Sequence, residues 1–485
     1  MAHRNEPPRE PSFLDMDPET MNRLAHRVVD EVLRHLTTME SEPAWRMISR
    51  GEGEARFREP VPETGRPLED LLDRARHEIL GNVGRIGHPR FLAFVPSAVT
   101  FPGVLGDVLV AGMNPFVGTW VGGSALTMLE LVVVDWIRQM LGLPEGAGGL
   151  LTSGGSEATL LAVVTARDTH LTAGLDRAVI YASDQSHSCV PRAARIAGFP
   201  RERFRSLPAE VDGRLDPDRV RRAIREDAGR GLAPFLLVGN GGTTSTGSVD
   251  PLGELAAVAR EAGLWFHVDA AYGGFAALTE RGRAALAGME AADSWVFDPH
   301  KWLYQGYECG SLLVREPRRL RETFRATADY LQDVDLGERE PNFGDAGLQL
   351  SRTSRALKVW LSVSHFGLAA FRAAVDRTLD LALAAERDLE RDPRFEVLSP
   401  ARLGVVCFRL HPPGAGAAAL DALNRDVLVR LNRSGFAFLS STRVAGAFAL
   451  RMCVLSHRTT RADLRGVIER IADLGSGNRD GSGDS

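Results

Sequence analysis

Lysine is almost missing from this chain. Of its 58 lysine and arginine residues, only Lys301 and Lys358 are lysine. Arginine therefore serves wherever a plain surface cation is needed, which makes a retained amine informative. A guanidinium stays charged, whereas a lysine amine can lose its proton and attack a carbonyl. Lys301, inside "FDPHKW" at 297–302, reads either as a leftover surface cation or as a Schiff-base nucleophile. Cysteine is scarce as well. Cys189, Cys309, Cys407 and Cys453 lie far apart with no CxxC or zinc spacing, which excludes a disulfide framework and a metal site and fits reduced thiols. Excess positive charge is absent too: the net charge of −5 gives no electrostatic case for nucleic acid or an anionic membrane. The N-terminus, "MAHRNEPPREPSFLDMDPE", has no apolar signal-peptide core, and no uninterrupted apolar run is long enough for a bilayer. These absences predict a soluble cytoplasmic protein.

What is present is organised in blocks. At 485 residues the chain is long enough for two or three domains. Residues 1–95 read as an N-terminal helical segment: Asp17-Pro18 supplies an N-cap and first-turn proline, followed by Leu24, Val28 and Val32 at helical spacing. Residues 96–357 alternate short apolar runs ("RAVIYAS", "PFLLVGN", "LWFHVDA", "DSWVFD", "GSLLV") with amphipathic stretches such as "PDRVRRAIRED". That alternation predicts an α/β domain with a mainly parallel central sheet. Residues 358–476 open with one long helical pattern and continue through "FEVLSP", "LGVVCFRL" and "GAFALRMCVLS", a small α+β domain. Residues 477–485, "GNRDGSGDS", read as a disordered tail.

The loops of the middle block carry the chemistry. "GGLLTSGGSEATLL" is an apolar turn, a Gly/Ser loop and a helix start, the arrangement that presents backbone N–H groups and a helix dipole to an anion. "DQSHS" places His187 just past a strand, and "GNGGTTSTGS" places Thr243, Thr244 and Thr246 past another. Asp269 ends the apolar run "LWFHVD". A carboxylate there needs a cationic partner, either an arginine or a protonated ring nitrogen. The next run delivers Pro299-His300-Lys301-Trp302. An anion cradle, a flat imidazole, a carboxylate and an amine on successive strand ends match what pyridoxal phosphate requires.

These segments resemble the group II pyridoxal-phosphate decarboxylases, the aromatic-L-amino-acid decarboxylase family. The likeness rests on "HVDAAYGG", "DSWVFDPHKW", "DQSHS" and "GGSEATL" and runs from "HPRFLAFVPS" to "LGVVCFRL". It implies the aminotransferase-like fold (fold type I) and pyridoxal 5'-phosphate as cofactor. It implies that Lys301 is the Schiff-base lysine, Asp269 the partner of the ring nitrogen with Ala271 beside the ring, and His187 the stacking histidine. Gly155 and Ser156 fall on the phosphate loop, with His300 and Ser294 as further anchors and Thr244 beside the cofactor. Tyr330, in "ATADYLQD", matches a lid tyrosine that acts in the partner subunit's site, which implies a homodimer with shared active sites. Asp298 departs from the asparagine that is frequent in the family.

The resemblance places Ile86, Phe94, Val95, Phe116, Gly118 and Ser351 along the substrate side-chain pocket. These are mostly apolar and include no lysine or arginine, which disfavours an acidic substrate and favours an aromatic or bulky apolar L-amino acid. The implied reaction is decarboxylation to the amine and CO2. Its rivals are an aldehyde synthase, a carbon–carbon lyase and a catalytically silent scaffold. Retention of His187 and Tyr330 favours simple decarboxylation.

Overall fold

The computed structural model describes residues 14–95, 97–325, 336–337 and 339–476. The chain divides into two compact units, Met1–Arg85 and Ile86–Ser485. In the first unit the helix Pro18–Thr38 begins as the sequence predicts, with Asp17 accepting a hydrogen bond from the Thr20 N–H at 2.9 Å. A second helix, Arg50–Phe57, starts at a capping box in which Ser49 and Glu52 satisfy each other's free amides. Arg23–Glu69 and Arg27–Asp73 ion pairs tie the first helix to the Leu68–Arg74 helix. Burial within this unit is sparse: Met21, Val28, Val29 and Leu33 stay exposed on the first helix.

The second unit is built on a seven-stranded sheet. Its strands are β1 (Gly148–Thr152), β2 (Ala178–Ser183), β3 (Phe204–Leu207), β4 (Ala233–Asn240), β5 (Trp265–Asp269), β6 (Ser294–Phe297) and β7 (Gly310–Val314), in the order β1-β7-β6-β5-β4-β2-β3. Neighbours from β6 through β3 pair in parallel. β7 is antiparallel to both β6 and β1, so β1 runs in the same direction as β6. Every residue of β2 and β5 is buried, as expected for strands covered on both faces. The topology thus sets the carboxyl ends of β1, β2, β4, β5 and β6 along one edge, where open α/β sheets bind ligands.

A second, antiparallel sheet follows: β8 (Phe395–Arg402), β9 (Val405–Leu410), β10 (Ser440–Val444) and β11 (Ala447–Cys453), in the order β10-β11-β9-β8. The helices Ala417–Ser434 and Arg461–Gly475 accompany it. The sequence pattern predicts one unbroken helix ahead of this sheet. The structure instead breaks Ala356–Arg391 at Gly367, whose φ of 72° and ψ of 157° no helix contains.

One helix tests the expectation about apolar runs, and Glu130, Asp135 and Arg138 interrupt it. The helix Trp120–Met140 is long and apolar enough to cross a bilayer by length and composition. Its middle carries Glu130, 1% exposed, whose Oε1 lies 2.7 Å from Arg352 Nη2 and accepts the Leu151 N–H at 2.8 Å. The same guanidinium donates to the Leu151 carbonyl at 2.6 Å. Val133, Val134 and Ile137 of this helix are buried in the main core, so it is a core helix whose one buried charge is paired inside the protein. Removing one partner of such a pair strands the other without solvent. Arg352→Met is therefore expected to lower unfolding stability by about 3–5 kcal/mol, measured by urea denaturation. A loss under about 1 kcal/mol would mean that water reaches the pair.

Candidate active site

β6 ends at Phe297, and the next residues form a single helical turn, Pro299–Trp302, that presents Lys301. Proline at its first position fixes the turn without losing a needed N–H. Trp302 is fully buried, which anchors the turn in the core, and Ser97 Oγ donates to the Lys301 carbonyl. Lys301 Nζ lies 2.9 Å from Asp298 Oδ2, one turn earlier. Burial alone pulls an amine's pKa down. Here the charge and hydrogen bond of Asp298, with Asp269 beyond it, outweigh burial and hold Lys301 above its ordinary value. The other lysine is committed elsewhere: Lys358 is 3% exposed, with Nζ 2.9 Å from Asp107 Oδ1 and 3.0 Å from the Gly306 carbonyl.

Asp269 closes β5 beside that turn, 8% exposed, and its Oδ1 accepts the Ala271 N–H at 3.2 Å. Two residues earlier on the same face, His267 is fully buried, with Nδ1 2.8 Å from Ser294 Oγ. Burial pushes its pKa down to about 4 against a smaller pull from Asp269, so it is neutral. Ser294 is a correction to the sequence reading. It opens β6, where its hydroxyl takes the Trp265 Nε1–H at 2.8 Å as well as His267. Four residues of strand, roughly 13 Å, separate it from the phosphate-loop end, so it cannot anchor an anion there. It orders β5 against β6 instead.

The glycine loop after β1 meets the lysine turn. The helix Gly155–His170 starts here, and a Cβ on Gly155 would lie 3.1 Å from both Ala271 Cβ and Asp298 Oδ2. A side chain here would press on both neighbours. The Ser153 N–H and hydroxyl are both held by Glu157 at 2.7 Å, while Ser156 is exposed at the helix N-terminus. His300 is buried with Nδ1 lacking a hydrogen-bond partner, and burial lowers its pKa. His187 lies exposed past β2, its Nδ1 accepting the Cys189 N–H at 3.3 Å. Thr244, past β4, is half-buried.

The residues expected to line the side-chain pocket fall into two groups. Phe94 and Val95 precede Ser97, which holds the lysine turn, and Ile86 is half-buried ahead of them. Phe94 adopts φ 54° and is exposed. Gly118 packs instead against the 344–350 stretch, where any side chain would strike the Leu350 carbonyl, with Phe116 and Ser351 exposed nearby in sequence. Tyr330 lies outside the described residues. Sequence reasoning missed Arg451. This residue of β11 is 2% exposed and donates to the carbonyls of Thr244 at 2.8 Å and Phe94 at 2.7 Å, with Nη2 buried and unpartnered. No spacing in the sequence links position 451 to position 94. It also missed Tyr307, whose ring lies 4.7 Å from that of His300.

An amine, a buried carboxylate, an imidazole and a glycine cradle with an unpartnered His300 nitrogen therefore share one strand edge, and this donor set fits pyridoxal phosphate. Residues 52–411 match the model of the pyridoxal-dependent decarboxylase conserved domain. The chain belongs to the pyridoxal-dependent decarboxylase family. Among its relatives, an aromatic-L-amino-acid decarboxylase of Bacillus atrophaeus is 36% identical over 95% of this chain and 96% of its own length. A phenylacetaldehyde synthase of Arabidopsis thaliana is 32% identical over 90% and 92%. A solved structure of Oryza sativa TDC with PLP and tryptamine superposes with a TM-score of 0.91 at 32% identity, covering 96% of this chain and 99% of that one. This pyridoxal-dependent decarboxylase thus has the fold type I architecture, uses pyridoxal 5'-phosphate and is a carboxy-lyase.

Neutral His267 gives the site a pH signature. Its folded pKa, about 4, lies below the ordinary 6.5, so the unfolded chain binds a proton that the folded one refuses. Stability is complete above the ordinary value and falls as pH drops from 6.5 toward 4. Its contribution is on the order of a few kcal/mol. The expected outcome is a loss of stability between about pH 6.5 and 5, above the carboxylate range, that shrinks in His267→Gln without vanishing, because burial also holds His457 down to about 4 and lowers His300. Unfolding curves at each pH check it.

Proposed function

We propose that this decarboxylase acts on an aromatic L-amino acid and releases the corresponding amine with CO2. The observation that carries the reading is Lys301, a half-buried amine held 2.9 Å from a carboxylate at the strand edge, in a chain that spends its only other lysine on a structural pair. Support for an aromatic substrate comes from relatives named for aromatic amino acids and from the apolar character of Ile86, Phe94, Val95 and Phe116.

In this reading Lys301 would bind the cofactor's aldehyde carbon, Asp269 would hold a proton on its ring nitrogen, and His187 and Ala271 would flank its ring. Gly155, Ser156 and His300 would take the phosphate, with Thr244 nearby. The bound cofactor supplies an electron sink for the carbon that loses CO2. Asp269 is suited to its task because it is buried, so its charge acts at low dielectric. Tyr330 is the assigned proton donor to the substrate carbon.

The working form in this reading is a homodimer. Met21, Val28, Val29 and Leu33 leave one face of the first helix apolar and exposed, and a second copy would bury it. The four cysteines are free and buried, which suits the reducing cytoplasm.

The test is a panel of single L-amino acids with the cofactor-loaded protein, following CO2, amine, aldehyde and peroxide together. Equal amounts of amine and CO2 from an aromatic acid are expected. Aldehyde with ammonia and peroxide would move the protein to the synthase class, which its phenylacetaldehyde synthase relatives make the alternative. Lys301→Ala should lose the visible absorbance of bound cofactor and at least ~1000-fold in CO2 release. Unchanged turnover in that variant would overturn the mechanism.

A further inference from the structure

Asp298 is the charged group at this edge to which the decarboxylase reading gives no task. Its side chain is 3% exposed. Oδ2 lies 2.9 Å from Lys301 Nζ and 3.5 Å from His300 Nε2, and Oδ1 has no hydrogen-bond partner. The same carboxylate flanks the glycine loop. A Cβ on Gly155 would lie 3.1 Å from Oδ2, and one on Gly310 only 2.8 Å from Oδ1. One anion therefore touches both the amine that must be freed and the loop assigned to the phosphate.

We propose that Asp298 opposes capture of pyridoxal phosphate, competing for Lys301 and repelling the phosphate, so that cofactor loading is weakened at neutral pH and strengthens as pH rises. The proposal rests on the assignment of Lys301 and the Gly155–Ser156 loop made above. Two effects act in the same direction. An ammonium cannot attack an aldehyde until its proton leaves, and a carboxylate at 2.9 Å favours keeping that proton. A phosphate monoester brings a charge of about −1.5 to −2 toward a loop already lined by an anion.

The surrounding groups do not cancel these effects. On the same turn, His300 is kept from protonating by burial. From β5, Asp269 adds to the field that holds Lys301 charged. Burial pushes Cys189, on the helix after β2, and Cys309, ahead of β7, up to about 12, and raises Tyr307, so all three are neutral. Glu157 is engaged by Ser153, and Lys358 by Asp107. An asparagine at 298 would keep the shape, drop the charge and offer an N–H to the phosphate.

The experiment titrates cofactor-free, full-length wild type and Asp298→Asn with pyridoxal phosphate across neutral pH, reading visible absorbance and heat. Pyridoxine 5'-phosphate, which lacks the aldehyde, isolates phosphate docking from bonding to Lys301. The variant is expected to bind pyridoxal phosphate at least roughly tenfold more tightly at neutral pH, with the midpoint of its pH profile moved to the acid side by about one unit or more. Pyridoxine 5'-phosphate should tighten too. Asp298→Ser removes the same charge should the asparagine variant fail to fold. Binding of pyridoxal phosphate that is equal or weaker in the charge-free variants overturns the proposal alone, because it would mean that the native carboxyl already serves the phosphate. A wild type that gains no visible absorbance removes the Lys301 assignment and the proposal with it.

Discussion

An ammonium and two carboxylates kept largely out of water at one edge of a mainly parallel sheet set the terms for the rest of this molecule. Lys301, Asp298 and Asp269 are costly to bury singly and tolerable only in company. Their positions are fixed by elements packed into the core. β5 and β6 are buried end to end, and Trp302 locks the lysine turn into the core. A shift of that turn would leave an unpaired charge in a low-dielectric site, so packing and electrostatics enforce the same geometry.

That edge is held from outside by polar groups distant in sequence. Arg451, on the second sheet, ties the carbonyls of Phe94 and Thr244 together, joining the stretch ahead of Ser97 to the loop after β4. Arg352 does the same for Glu130 and Leu151, bracing the strand that leads into the glycine loop. In both cases a guanidinium satisfies acceptors wholly or partly withdrawn from water. The chain's heavy use of arginine thus has an internal role as well as a surface one.

Much of the site was legible because its chemistry is written locally. The scarcity of lysine made Lys301 conspicuous, and Gly155 and Asp269 sit where strand-to-loop punctuation marks them. Ser294 was misplaced because a motif records order along the chain, while function there depends on which end of β6 a residue occupies. Asp298 was visible as a departure from the family pattern, yet its pairing follows from the helical turn that sets it three residues from Lys301. Gly367 broke a helix that periodicity alone draws straight, since hydrophobic spacing carries no information about a single left-handed residue. Tyr330 lies outside the described residues.

The sequence by itself determined the alternation of strands and helices, the family and the identities of the groups at successive strand ends. These depend on spacing and residue type, which are one-dimensional properties. Only the tertiary structure decided that β7 runs against its neighbours, that Arg451 reaches Phe94 across more than half the chain, and that Lys358 is bound to Asp107 while Lys301 pairs with Asp298, whose carboxylate lies beside Gly155. Pairing between distant segments is set by which surfaces can bury together with every polar atom satisfied, and that condition exists only in three dimensions.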